Sequence, residues 1–210
     1  MAVSSATRLT RFIKRALDVL AALAISALVV MPIIAVLIGL GVLGDVDSRP
    51  VETWLRVDVA EEITMAPDEA AGQRMLRTQG PATLQVPGNR AFMISLLVTE
   101  ILGLIGLVAL LKFRALFAAL SRGDSFQPAN SHLLQHAGYA LLAWHVIAPP
   151  LRFAASQLAI AEAPALPPEI AVYPAFQLSV GGLLTGLAVI VLARVLHDAS
   201  ALSHENALTV

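Results

Sequence analysis

Val19–Gly44, with the sequence VLAALAISALVVMPIIAVLIGLGVLG, is a run of 26 residues without a charged side chain. A helix needs roughly 20 residues, each rising about 1.5 Å, to cross about 30 Å of hydrocarbon. Three further apolar runs of similar character follow along the chain, at Ala91–Leu111, Leu133–Leu151 and Ile170–Ala193. The chain is therefore predicted to be an all-α membrane protein, with four transmembrane helices in a bundle.

The composition supports a single membrane domain over residues 1–210. Hydrophobic residues make up 57% of the chain and charged residues 14%, whereas an ordinary soluble domain has about 25% charged residues. The first apolar run follows a basic segment, as in a signal peptide, but it exceeds the usual h-region of about 7–15 residues, so we expect it to be retained. The chain has no cysteine, which excludes disulfides and cysteine nucleophiles.

The charges of the connecting segments predict the orientation of the helices. Residues 1–18 carry four basic side chains and one aspartate, and residues 112–132 carry three basic side chains and one aspartate. The long segment 45–90 carries five arginines and eight acidic residues. Because short segments rich in Lys and Arg stay in the cytoplasm while long loops cross largely regardless of charge, we expect both termini in the cytoplasm. The arginine-rich composition suggests a bacterial source and hence the inner membrane.

The outer loop, residues 45–90, shows two kinds of local pattern. Apolar residues alternate with polar ones at 55–59 and again at 84–86, which predicts two short, half-buried strands. The stretch 67–77 opens with Pro-Asp-Glu and closes with two arginines, the polarity of a short helix. A small cap with strands and a helical turn is one interpretation, and a loosely ordered acidic loop is the other.

Two amphipathic segments are predicted on the cytoplasmic side, at residues 112–123 and 194–206. In the first segment, apolar side chains recur at i, i+3, i+4 and i+7, which places them on one face of a helix. This apolar stripe consists of Phe113, Leu116, Phe117 and Leu120, and the basic residues beside it include Arg114 and Arg122. We expect the stripe to lie on the bilayer surface, to pack on the second segment, or to bind a partner protein.

Three stretches of this chain resemble a known family. They are FRALF at residues 113–117, RGDSFQPAN at residues 122–130 and the terminal ALSHENALTV at residues 201–210. Together with the four apolar runs, they resemble the bacterial membrane family catalogued as domain of unknown function 2975. The resemblance implies four spans and a sizeable first outer loop, without an established activity. Because members are often encoded beside small helix-turn-helix regulators, it also implies a cytoplasmic regulatory partner.

Glu100 is the one Asp, Glu, Lys or Arg residue within the four apolar runs. A charge at mid-membrane costs roughly 2.5–3.5 kcal/mol on insertion scales, so the side chain should face protein or water. Counted from the outer ends of their helices, Glu100 and His145 lie at similar depth. We expect them to form a buried polar pair, either as a structural hydrogen bond or as part of a proton-responsive site.

Small residues at helical spacing predict two packing seams. One seam lies on the fourth run and the other on the second run, and their members are Gly182 and Gly186, and Ser95, Thr99 and Gly103. Small side chains let helices approach closely in a membrane. The seams therefore serve packing within the bundle or association with a second copy of the chain.

The sequence predicts no catalytic residue, no cofactor and no metal site. His132 and His136 have an i, i+4 spacing that can hold a metal, but no carboxylate joins them in the sequence. No phosphate-binding glycine loop, metalloprotease helix or nucleophile elbow occurs, and no feature predicts direct contact with nucleic acid. The chain is thus predicted to act without catalysis in the lipid bilayer.

The favoured interpretation is an inner-membrane sensor or docking partner for a cytoplasmic protein, which follows from the family resemblance and the lack of catalytic motifs. The amphipathic segments would make that contact. The alternative is a small transporter, or an ion- or proton-conducting subunit, organised around Glu100.

Overall fold

A computed structural model gives the fold and describes residues 2–40, 42, 48–63, 72–122, 127–165, 167 and 170–208. The described residues form four helices and three strands. In chain order these elements are α1 (Ala2–Gly39), β1 (Arg49–Ile63), β2 (Gly72–Val86), α2 (Arg90–Ser121), α3 (Pro128–Glu162), β3 (Ile170–Pro174) and α4 (Val180–Leu208).

The chain folds as two compact units. The first unit, called the bundle, consists of Met1–Pro32, Glu100–Ile147 and Leu178–Val210. The second unit, called the sheet unit, consists of Ile33–Thr99 and Ala148–Gln177. Each long helix except α4 therefore contributes residues to both units.

Three of the described helices are long and apolar enough to cross a membrane. The qualifying segments are Phe12–Ile38, Arg90–Ser121 and Val180–Leu202. Their surfaces carry many large apolar side chains that are exposed in the isolated chain, which is the character of a surface that faces lipid. These features indicate a membrane protein. In α3, glutamine, histidine, proline and Arg152 dilute the apolar residues, so the predicted fourth transmembrane helix is not confirmed.

The third helix extends beyond its predicted end at Leu151. It continues through Pro149-Pro150 and ends at Glu162. A proline inside a helix costs about 3 kcal/mol because it removes a hydrogen bond and crowds the preceding turn. The turns that follow are well packed, with Ala155 and Ala159 only 7% and 0% exposed. This packing offsets the cost of the prolines. The predicted helix end at Leu151 was therefore wrong, because residues 152–162 are helical.

The fourth apolar run is divided between two elements. Ile170–Pro174 forms β3, which pairs with β1, and α4 begins only at Val180. The sequence IAVY favours a strand because it contains β-branched and aromatic residues. Ser179 caps the new helix, since its Oγ accepts a hydrogen bond from the Gly182 backbone N–H at 3.1 Å. The predicted helix start at Ile170 was therefore wrong.

The sheet has the strand order β2-β1-β3 and is antiparallel throughout. Its buried face includes Val51 and Val86, which pack with Ala91 and Ala159. The two predicted strands are present, but both are longer than the alternation suggested. The predicted helix at 67–77 is wrong from Gly72 onward, because those residues pair with β1; its opening Pro-Asp-Glu lies outside the described residues.

The apolar stripe of segment 112–123 lies inside the bundle. Leu116, 6% exposed, forms a buried cluster with Leu134 of α3 and Ala193 of α4. Two further stripe residues pack against this cluster, Phe113 and Leu120. Leu116 is therefore covered by its own chain, whereas Phe113, Phe117 and Leu120 remain half-buried. Gly123, the predicted end of this helix, lies outside the described residues.

Candidate functional site

Polar side chains gather at the level of the Leu116 cluster, and we call this level the polar layer. Arg114, His132 and Arg194 each lie within two residues of a member of that cluster. Arg114 also forms an ion pair with Asp18 of α1, so all four helices contribute to the layer. Charged residues that end apolar helical stretches are typical of a membrane–water boundary. The polar layer therefore lies where the apolar part of the bundle stops.

A cavity of about 340 Å³ opens in the polar layer between α3 and α4. One part of its wall is polar and the other part is apolar. The polar wall comprises Ser131, His132, Gln135, Arg194 and His197, and the apolar wall comprises Ile190, Val191 and Ala193. Among the residues that the structure describes, the lining supplies hydrogen-bond donors and a permanent positive charge, and it contains no carboxylate. Such a lining suits an anion that carries an apolar group.

Two histidines face each other across this cavity. The rings of His132 and His197 are 6.3 Å apart between centroids and meet edge to face. His197 Nδ1 lies 3.5 Å from the Oγ atom of Ser131, and that hydroxyl donates to the Pro128 carbonyl at 2.6 Å. A buried serine thus orients the His197 ring. Sequence reasoning missed His197 because it lies on a different helix from the pair at positions 132 and 136.

The two histidines at i, i+4 spacing have different surroundings. Nδ1 of His136 lies 2.6 Å from the His132 carbonyl oxygen, so that ring is turned to its own backbone. Among the described residues, no group of three potential His, Cys, Asp or Glu ligands occurs. His132 instead lines the cavity.

Arg194 is the permanent cation of the cavity. Its Nε atom lies 3.6 Å from a carboxylate oxygen of Asp198, and both side chains are well exposed. A long, exposed ion pair of this kind contributes little stability and leaves the two terminal amino groups of the guanidinium available. The sequence contained a pattern that could have predicted this site, because Arg194 and His197 have an i, i+3 spacing that follows the fourth apolar run.

Glu100 and His145 are not joined by a hydrogen bond. Within the described part of the chain, Glu100 is half-buried and has no hydrogen-bond or ion-pair partner. Gly103, which lies almost on the same face of α2, packs against Leu28 of α1. His145 instead lies against Gly182 of α4. The structure thus places His145 against α4 and does not bring it into hydrogen-bond contact with Glu100.

The predicted seam on α4 contacts α3. A Cβ atom added at Gly182 would lie 2.1 Å from the His145 ring, and one added at Gly186 would lie 2.9 Å from the Leu142 side chain. The seam therefore serves packing within one chain. Of the seam on α2, a Cβ atom added at Gly103 would lie 2.8 Å from the Leu28 side chain of α1.

The other two members of the α2 seam interact with each other along their own helix. Thr99 is exposed, and its hydroxyl donates to the Ser95 carbonyl at 2.9 Å. A side-chain bond of this type satisfies the hydroxyl within the helix. This bond lies within one helix, so the predicted contact of Ser95 and Thr99 with a second copy of the chain stays a prediction.

The amphipathic segments keep an exposed polar face. Arg114 near the end of α2 and Arg122 just after it are exposed, while Leu116 of the stripe is buried. On α4, Val195 and Leu202 are 58% and 61% exposed. The second predicted segment thus presents apolar side chains outward, whereas the first does not.

The sheet unit contains a separate charged cluster. The buried carboxylate of Asp58 accepts a hydrogen bond from Arg77 Nε at 3.1 Å and lies 3.7 Å from Arg56 Nε. The Arg56 guanidinium also lies 4.8 Å from the centroid of the Tyr173 ring. These contacts join β1 to both neighbouring strands, so the cluster stabilises the sheet.

The chain belongs to the family described as "Protein of unknown function (DUF2975)", whose model matches residues 68–210. The match covers β2 and every element after it, including the polar layer on α2, α3 and α4. No curated protein matches the chain. The family resemblance seen in the sequence is confirmed, and the description assigns no reaction or ligand to the family.

Proposed function

We propose that this chain is a four-helix, non-enzymatic protein of a bacterial inner membrane that docks a cytoplasmic regulatory protein at the end of its bundle. The observation that carries the proposal is the buried cluster of Leu116, Leu134 and Ala193, which holds three helix ends together. A surface on packed helices loses less conformational entropy on binding than a loose segment does. In this proposal both termini lie in the cytoplasm, on the side of the polar layer.

The lengths of the helices support a projecting end. The three helices that meet in the cluster have 32, 35 and 29 residues. At about 1.5 Å per residue they measure about 44–52 Å, well beyond about 30 Å of hydrocarbon. The helix ends beyond the polar layer would therefore stand in water, where a soluble protein could reach them.

The packing of α3 supports its role as a fourth span. A Cβ atom added at Gly106 of α2 would lie 2.9 Å from Trp144 of α3, and one added at Gly138 of α3 would lie 2.6 Å from Ile190 of α4. Glycines at such positions allow close helix approach in a membrane. Because α3 packs closely on two helices that can cross, we infer that it crosses with them.

The proposed docking surface lies on the outward side of α4, beyond Arg194. Val195 and Leu202 expose apolar side chains there, next to the ion pair of Arg194 and Asp198. Apolar side chains bordered by charges are typical contacts in protein interfaces. The positively charged segments 1–18 and 112–132 favour the cytoplasmic side for this surface.

A site-specific cross-linking experiment in cells tests the docking proposal. A photo-reactive amino acid replaces Leu202 in the full chain, and a matched chain carries it at Leu187, which is also exposed on α4 but lies nearer mid-helix. We expect a defined adduct with one cytoplasmic protein at position 202 and none at position 187. The substitution Leu202→Glu should then change the transcripts that respond to deletion of the whole protein. Equal adducts at both positions, or none at 202, would contradict docking at this surface.

One observation favours the alternative of an ion- or proton-conducting subunit. Glu100 is half-buried in an apolar helix and has no partner among the described residues, although an unpaired carboxyl is costly at that depth. A carboxyl that transfers protons must be free to bind and release them, and a carboxyl without a hydrogen-bond partner meets this requirement. Proton flux into vesicles that contain the purified protein tests this alternative, because Glu100→Gln should abolish a flux that depends on the carboxyl.

A further inference from the structure

We propose that the cavity between α3 and α4 binds the phosphate headgroup of an anionic phospholipid. The inference rests on the membrane location of the protein and is independent of the docking role. It assigns a ligand class to a cavity whose lining combines basic side chains with an apolar wall.

The polar wall provides the donors that a phosphate requires. Arg194 uses Nε for Asp198, so its two terminal amino groups can bind phosphate oxygens in a charge-assisted way. His132 and His197 flank the same space. Asp198 is the nearby carboxylate, and its 3.6 Å distance from Arg194 leaves that pairing weak. The wall thus favours an anion in spite of one neighbouring acid.

The start of α3 adds a further favourable field. Ser131 and His132 lie within the first turns of this 35-residue helix. The N-terminus of a long helix carries a partial positive charge and attracts anions. Here the helix N-terminus acts together with a cavity and with basic side chains, and the three features converge on one phosphate site.

The apolar wall favours a lipid over a free phosphate. Val191 lines the cavity and is 62% exposed. Leu187 and Leu184 precede it at i−4 and i−7 on the same side of α4 and are 49% and 60% exposed. This exposed line runs from the cavity toward the start of α4 at Val180. An acyl chain could therefore lie along α4 while its headgroup occupies the cavity.

A tyrosine places the cavity at the height of lipid headgroups. Gln135 lines the cavity, and its Nε2 donates a hydrogen bond to the Tyr139 hydroxyl at 3.0 Å. Tyr139 is 51% exposed on α3. Tyrosine is enriched at the interface of membranes, where its ring and its hydroxyl meet apolar and polar surroundings. The polar layer and Tyr139 together match that interface.

Lipid binding to the purified full-length protein in detergent micelles tests the proposal. The melting temperature is measured against concentration of phosphatidylglycerol, phosphatidylcholine and inorganic phosphate. We expect phosphatidylglycerol to bind about tenfold more tightly than phosphatidylcholine, the ratio that one to two basic contacts at a lipid surface would give. Arg194→Gln, and separately the double change His132→Gln with His197→Gln, should reduce this preference to about twofold.

The matched control is Arg15→Gln, which removes one exposed positive charge from α1, near Asp18 at the same end of the bundle but outside the cavity lining. This control should keep the tenfold preference. An equal loss in Arg15→Gln would overturn the site, because it would show a general attraction of anionic lipid to the basic end. Equal binding of both lipids would overturn it as well. Stabilisation by inorganic phosphate alone at the same level as by phosphatidylglycerol would overturn the lipid assignment.

Discussion

The imidazole of His145 on α3 covers Gly182 on α4, and a Cβ atom added at Gly182 would lie 2.1 Å from Cε1 of the ring. Gly181, one residue earlier, has no atom within 4 Å of such a Cβ position. Two adjacent glycines of the same helix therefore differ in the space beside them. One is needed for close helix packing, and the other faces open space.

This contrast predicts different effects of alanine at the two positions. Gly182→Ala should lower the free energy of unfolding by about 1–3 kcal/mol, because the His145 ring would have to move out of a packed interface. Gly181→Ala should leave it unchanged or raise it by up to about 1 kcal/mol, since alanine favours a helix. Thermal unfolding of the full chain in micelles measures both. Equal effects would mean that the His145–Gly182 contact is not part of the folded protein.

The charged cluster of the sheet unit predicts a second difference. Asp58→Asn should lower local stability by about 1–2 kcal/mol, because the buried carboxylate binds Arg77 and lies near Arg56. Glu52→Gln is the matched control, since Glu52 is exposed on the same strand. Hydrogen exchange of the β1 and β2 amides in the full chain should accelerate in the first variant only. Unchanged exchange in Asp58→Asn would show that the cluster does not stabilise the sheet.

The burial of Leu116 predicts a third difference in stability between two variants. Leu116→Ala should lower the free energy of unfolding by about 2–4 kcal/mol, because it leaves a void between three helices. Leu111→Ala on the same helix should cost much less, as Leu111 is 37% exposed in the isolated chain. The melting temperatures of the two variants test this. Equal, small effects of the two substitutions would contradict the burial of Leu116 and would indicate that a bilayer or a partner covers this residue.

The lack of a partner for Glu100 predicts that its charge does not stabilise the chain. Glu100→Gln should leave the melting temperature nearly unchanged, and Glu100→Leu should raise it, because a carboxyl in an apolar helix is costly. A loss of about 1 kcal/mol or more in both variants would instead indicate a hydrogen-bond partner for the carboxyl. These measurements on the purified chain separate a structural role from a proton-conducting one. In a proton-conducting protein, Glu100→Gln would reduce the proton flux without reducing the stability.

Sequence reasoning located the helices better than it located their ends. The apolar runs at Val19–Gly44 and Ala91–Leu111 fall within α1 and α2 in large part, because a long apolar run leaves few alternatives to a helix. The boundaries at Leu151 and Ile170 were wrong, since they were taken from the ends of apolar runs, which need not be the ends of helices. In the structure, packing carries α3 past the prolines and strand pairing takes the start of the fourth run into the sheet.

The candidate site was only partly predictable. Of its residues on α3, His132 attracted attention as one member of a histidine pair, but His197 and Arg194 lie more than 60 residues away from it in the sequence and join it only through helix packing. The same limit explains the predicted Glu100–His145 pair. Matching depth along two helices does not tell which sides of those helices face each other.

By itself, the sequence determined the membrane character, the family and the helical plan of this protein, because these depend on composition, on runs of apolar residues and on local motifs. The tertiary structure alone decided which faces are covered. It buried the stripe of Leu116, placed His145 on Gly182 and opened the cavity beside Arg194. The physical reason is that the rotation and register of packed helices follow from the fit of side chains across interfaces, and that fit joins residues far apart in the chain.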